Sequence, residues 1–153
     1  MLRTFLIGTA STVALALSAT AFAQQPQYGT AAEAKAMVEK VATALKTDTA
    51  KALDTFNKGE GGFKDRDLYP FCWDATTGIF NAHVTKTLLG TDIRALKEKD
   101  GSPLGTKIFN AAKADTITTV SYHFPRPGGT DPVEKESYIT AVANEACGVG
   151  YYK

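Results

Sequence analysis

Two cysteines, Cys72 and Cys147, place the strongest constraint on how this chain can fold. The first residues say why. Met1-Leu2-Arg3 is a short positive start, Phe5 to Leu17 is apolar or small and carries no charge, and Ala21-Phe22-Ala23 has the small-x-small form of a peptidase site. Charge, apolar core and small-residue exit in that order read as a secretory signal over residues 1–23, with cleavage expected after Ala23. The apolar run is shorter than the roughly 20 residues a spanning helix needs, and no later stretch is more apolar, so no membrane insertion of the mature chain is expected. A periplasmic or secreted chain meets an oxidising compartment, where two cysteines most simply pair. The bond would close a loop of about 75 residues and contribute about 4.5 kcal/mol in the chain-entropy description. It would also set the segments around Cys72 and Cys147 side by side, because bridged Cα atoms lie about 5.5 Å apart. Two buried free thiols are the alternative. A zinc site is not, since no neighbouring Cys or His completes four ligands.

About 130 residues follow the signal, the size of one domain with one hydrophobic core. Gln24 to Gly29 reads as a short polar arm. Thr30-Ala31-Ala32-Glu33 is a capping box, and Ala34, Met37, Val38, Val41, Ala44 and Leu45 behind it form one apolar helical stripe. The stripe is interrupted at Thr47-Asp48-Thr49 and resumes at Ala52, Leu53 and Phe56. This predicts a long helix that kinks or breaks there, with Asp48 or Thr49 capping a second short helix and Gly59, Gly61 and Gly62 ending it. Aromatic and β-branched runs between turn signals come next. Strands are expected over Leu68–Trp73 and Ile79–His83 as a hairpin, then over Thr116–Phe124, Val133–Val142 and Ala146 to the end. Between hairpin and third strand, Val84 to Gly101 reads as a long loop with a helical turn. Ser102 and Pro103 read as the cap and first residue of a helix to about Ala114 that buries Leu104, Ile108 and Ala112. Short connections favour antiparallel neighbours. The expected fold is α+β, with the long N-terminal helix on one face of a five-stranded antiparallel sheet and the loop segment on the other.

Composition removes several functions. The 17 Lys and Arg nearly balance the 16 Asp and Glu, with no basic stripe or tail, so no nucleic-acid partner is expected. The histidines are His83 and His123 alone, and no phosphate loop, Gly-x-Ser-x-Gly or His-Glu-x-x-His is present. No catalytic residue, metal site or cofactor is therefore expected. The aromatics say more. Tyr69, Phe71 and Trp73 share one strand face, as do Val120, Tyr122 and Phe124. Core packing explains any one of them. Together with polar tips, His83 and Lys135, they have the make-up of a small-ligand pocket. The candidate site is Phe71, Trp73, His83, Tyr122, Phe124, Lys135 and Tyr138, with Lys135 and His83 attracting an anion. One condition attaches: Lys135 and Tyr138 are three apart, so a regular strand sends them to opposite faces, and only a bulge or bend reunites them.

Several segments, in order, carry a resemblance. Asp67-Leu68-Tyr69-Pro70-Phe71-Cys72-Trp73-Asp74, then Gly78 and Asn81-Ala82-His83, are similar to the opening of a single Cache domain. Leu89-Gly90-Thr91-Asp92, Asp100-Gly101, Tyr122-His123-Phe124-Pro125-Arg126-Pro127-Gly128, Lys135-Glu136-Ser137-Tyr138 and Cys147-Gly148-Val149-Gly150-Tyr151-Tyr152 resemble later parts of that family, so nearly all of the mature chain is covered. Val84 stands where the family usually has proline, and Phe124 where it often has tryptophan. The resemblance implies a PAS-like extracytoplasmic sensor module that binds a small molecule, a carboxylate or an amine, between sheet and overlying loops. Such modules usually sit on receptors or kinases. No anchor or output domain follows the last strand here, so the expectation is a free-standing exported binding protein, non-catalytic, with a membrane receptor or kinase as its partner in signalling. The alternative expectation is an accessory domain that docks on a membrane or periplasmic partner and binds no small ligand.

Overall fold

In the computed structural model, which describes residues 27–153, the chain starts its first helix at the capping box. The signal segment and its cleavage point lie outside the described residues. Thr30 Oγ1 accepts from the Glu33 amide at 3.3 Å, and the Glu33 carboxylate accepts from the Thr30 amide at 2.8 Å. Arg66 also donates to Glu33 at 2.7 Å. That bond, with those from Thr30, holds the Glu33 carboxyl down at about 2. Helix α1 runs Ala31–Thr47 and buries Ala34, Met37, Val38, Val41 and Leu45, the predicted stripe. Asp48 is extended, closing α1 and opening α2 (Thr49–Lys58), where its carboxylate accepts from the Lys51 amide at 3.0 Å. One residue with a side-chain acceptor thus breaks the helix and restarts it. Gly59, at φ 68, ends α2 in the left-handed region that glycine enters without a Cβ penalty.

The strands are β1 (Pro70–Asp74), β2 (Phe80–Ala82), β3 (Thr118–Pro125), β4 (Pro132–Val142) and β5 (Glu145–Tyr152). They form one antiparallel sheet in the order β2-β1-β5-β4-β3. β1 begins at Pro70 rather than Leu68, because Leu68 closes a tight turn with Asp65 through amide bonds in both directions. Cys72 lies directly across from Cys147 and is disulfide-bonded to it, so β1 and β5 are neighbours.

Helix α3 covers Leu104–Ala111 and corrects the expected cap. Pro103 stands at the N-cap position and no side chain caps the helix; the Ser102 amide is instead held by Asp100 at 2.9 Å. The helix stops three residues short of Ala114 because the chain there joins the sheet: Ala114 bridges Ala141, and the Asp115 amide donates to the Ala141 carbonyl. Leu104 and Ile108 are buried as expected, while Ala112 is half-buried.

Two cores result. On one face α1 and α2 pack Val38, Val41, Leu45 and Phe56 over Cys72, Cys147 and Val149. On the other, 3₁₀ turns at Lys86–Leu88 and Ile93–Ala95 and helix α3 cover Phe71, Trp73, Phe80, Tyr122 and Ile139. Among the described residues no helix is long and apolar enough to cross a membrane.

Candidate ligand-binding site

β4 is regular through the region that matters. Lys135 pairs with Tyr122 on β3 and Tyr152 on β5, and Ser137 pairs with Val120 and Gly150. Lys135, Ser137 and Ile139 therefore face away from α1, while Tyr138 faces the helices and stacks on Tyr151 at 6.2 Å. The bulge that would have brought Tyr138 to Lys135 is absent, and Tyr138 leaves the candidate set. Gly150 explains how a long lysine lies flat on the sheet, since a Cβ there would collide with Lys135 Cε and Ser137 Oγ.

A cavity opens on this face. Its polar walls are Tyr69, His83, Tyr122 and Lys135, and its apolar walls come from Phe71, Phe80 and Phe124 with Ile93, Leu96, Leu104 and Ile108. Phe71, His83, Tyr122, Phe124 and Lys135 of the candidate set thus line one cavity. Trp73 shares the face but does not line the space; it is wholly buried and stacks on Phe71 at 5.9 Å, a support beneath the wall. Tyr69, Phe80 and the four aliphatic residues were not in the set. Their signal was present, since the second sheet face had to be covered by the loop and α3, and their apolar residues had to point at it.

The cavity holds about 20 Å³ of free space, room for roughly one water molecule. Tyr69 and Phe124 also line a neighbouring cleft of about 230 Å³, between Val84-Thr85 and the Pro125–Gly129 segment. Arg126 organises the mouth of that cleft. It pairs with the buried Asp67 at 3.1 Å and lies between the rings of Tyr28 and Tyr152, at 3.8 and 4.4 Å. The Tyr152 hydroxyl donates to the Pro125 carbonyl at 2.6 Å.

Lys135 is the unusual group. Only 1% of it is exposed, and its Nζ donates one hydrogen bond, to Tyr69 Oη at 3.2 Å. The rings of Tyr69, Tyr152 and Phe124 surround it at 4.6, 4.7 and 5.7 Å. Among the described residues no carboxylate pairs with it. Burial pushes its pKa down to about 7, with Asp67 opposing and Arg126 adding to the fall. His83 is buried too, and burial, then Lys135 and Lys86, push it down to about 4. The Thr85 amide donates to His83 Nδ1 at 2.8 Å, so the ring is neutral with its proton on Nε2. Tyr122 shares a 2.7 Å hydrogen bond with Ser137, and burial raises the phenols of Tyr69 and Tyr122. The arrangement offers one cation and several neutral donors at the edge of an apolar space. Among the described residues no group of three or more His, Cys, Asp or Glu is placed to hold a metal.

A family profile described as Cache domain matches residues 21–145. Among solved structures, a methyl-accepting chemotaxis protein from Vibrio parahaemolyticus RIMD 2210633 is 22% identical over 79% of this chain and 86% of that one, with a TM-score of 0.62. A Cache chemosensory domain described for its carboxylic acid recognition is 21% identical over 79% and 93%, with a TM-score of 0.60. The periplasmic sensor domain of a chemotaxis protein is 22% identical over 78% and 87%, again at 0.60. No curated protein matches the chain. At these identities the structural likeness speaks for the fold.

Proposed function

The chain belongs to the Cache domain family, and from that premise we propose that it is an exported binding module for a small organic acid, which it holds without chemical turnover. The observation that carries this reading is Lys135. Burying an ammonium costs several kcal/mol unless a partner compensates it, and this one sits at a cavity wall with a single neutral hydrogen-bond partner. A carboxylate entering beside it would supply the missing countercharge. The Nε2–H of His83 and the Tyr69 hydroxyl would bind the second oxygen, and the aromatic walls would exclude water and strengthen the pairing. The carboxylic acid recognition described for one similar domain supports the same chemistry. An amine would add a second cation next to Lys135, so the acid is the ligand we assign. With about 20 Å³ free, binding also requires the walls to move, and Tyr69 and Phe124 are the walls shared with the neighbouring cleft.

We assign residues 1–23 to a cleaved signal, which would deliver the domain to the compartment where its disulfide forms. We further propose a membrane receptor or kinase as its partner in signalling. Docking without a ligand has less support, because Tyr28, at 40%, is the one large hydrophobic side chain exposed among the described residues.

A thermal-shift screen of short carboxylates and amines tests the function. Stabilisation follows RT ln(1 + [L]/Kd), about 2.7 kcal/mol at a hundredfold excess over Kd. Short carboxylates are expected to raise Tm and amines to leave it unchanged. A response to amines alone, or none across a broad panel, would overturn the assignment.

A further inference from the structure

Lys135 differs from the other lysines of this protein in more than depth. Lys46, Lys58 and Lys153 are exposed or half-exposed and paired with Asp115, Asp54 and Glu134. Lys135 has no such partner, three aromatic rings around its Nζ, and one hydroxyl in contact. A lysine desolvated in an apolar pocket is an activated nucleophile, because its neutral amine is favoured and its lone pair is free to react. The cavity in front of it has room for about one water, so the walls must part for a reagent as they must for an acid, and a short reagent requires the least movement.

We propose that Lys135 also captures small carbonyl compounds covalently, its Nζ condensing with a short aldehyde to form an imine. The Nζ lone pair adds to the carbonyl carbon, and the carbonyl π pair takes up a proton to give a carbinolamine. The C–O bond then breaks, the hydroxyl leaves as water with a second proton, and the nitrogen closes the C=N bond. The two N–H protons of the amine leave with that oxygen, so amine and aldehyde become imine and water with no change of oxidation state. Tyr69 Oη, 3.2 Å from Nζ, is placed to hand the proton to the departing oxygen. Burial raises its phenol, which keeps it protonated as a hydrogen-bond donor to that oxygen and makes it a weak acid that must regain its proton from the nitrogen. The charged and titratable groups around the amine agree with this role. Asp67 and Arg126 at the mouth are paired with each other, His83 is neutral, and Tyr122 and Tyr152 are hydrogen-bonded phenols. A pKa pushed to about 7 leaves a large share of Lys135 as free amine at neutral pH, against about four parts in ten thousand for an ordinary lysine. Acid binding uses the ammonium form of Lys135 and carbonyl capture the amine form, so neither requires the other.

The test treats the folded protein at pH 7 with dilute acetaldehyde and sodium cyanoborohydride. The borohydride reduces any imine to a stable ethylamine, and peptide mass mapping then locates the ethyl group. Lys135 should be labelled at least about tenfold faster than exposed lysines such as Lys51 and Lys99. In Lys135→Arg, which keeps the cation, that label alone should vanish. Labelling confined to exposed lysines, or reaching Lys135 only after denaturation, would overturn the inference. Excess acetate separates the two proposals. Suppression of the Lys135 label means that both ligands use one cavity. A Lys135 label that acetate leaves untouched keeps carbonyl capture and removes the carboxylate assignment.

Discussion

At the scale of single residues, the protonation of Lys135 decides how strongly the site attracts an acid. In the free protein its pKa is pushed to about 7, and a bound carboxylate would raise it again, since an opposite charge favours the charged form. Below pH 7 the lysine is already protonated, so affinity should be flat down to the carboxyl range near pH 5. Above pH 7 binding must take up a proton, and affinity should fall by about tenfold per pH unit. Titrations of a short monocarboxylate between pH 6 and pH 9 check this; an affinity that stays constant to pH 9 would mean that Lys135 remains charged throughout or is not the contact. Parity marks what single residues revealed and what they hid. The alternation of β1 and β3 put Phe71, Tyr122 and Phe124 on one side, where they are. The same rule, applied without a bulge, removes Tyr138. Trp73 obeys the parity and still lies outside the cavity, because depth beneath a neighbouring ring depends on packing that alternation does not encode.

Elements were legible where a local chemical signal marks them. The capping box and Asp48 fix both helix starts within the first part of the fold, and the Cys72–Cys147 pairing fixes which strands are neighbours. The start and end of α3 were not, because they depend on the Asp100 side chain and on Ala114 joining β4. The Val84–Gly101 loop supplies cavity walls without regular structure, so its contribution could be assigned only to a face of the sheet. Because the disulfide staples β1 to β5 across the helix-side core, replacing both cysteines by alanine should destabilise the domain by about 2–5 kcal/mol. Chemical unfolding of the oxidised protein against the double variant measures this. Equal midpoints, or two free thiols found by alkylation and intact mass in exported material, would contradict the pairing.

For the molecule as a whole, the sheet divides its labour. One face is closed by α1 and α2 around the disulfide, and the other by loops and α3, which enclose the buried Lys135. If residues 1–23 are a signal, material recovered from the exporting compartment should begin at Gln24. N-terminal sequencing reads this directly, and an intact Met1 there would refute cleavage. The division also predicts opposite consequences for stability and function at the cavity. Replacing a buried, uncompensated charge by a hydrophobe of similar volume is often neutral or stabilising, so Lys135→Met should melt at the same temperature as the parent or higher. The measurement that bears most directly on the account is calorimetric titration of the parent protein and Lys135→Met with the same short monocarboxylate. The account predicts binding to the parent and a loss of about 1.5–3 kcal/mol in the variant, the range for a hydrogen bond to a charged group. A folded Lys135→Met that binds the acid as tightly as the parent would contradict it.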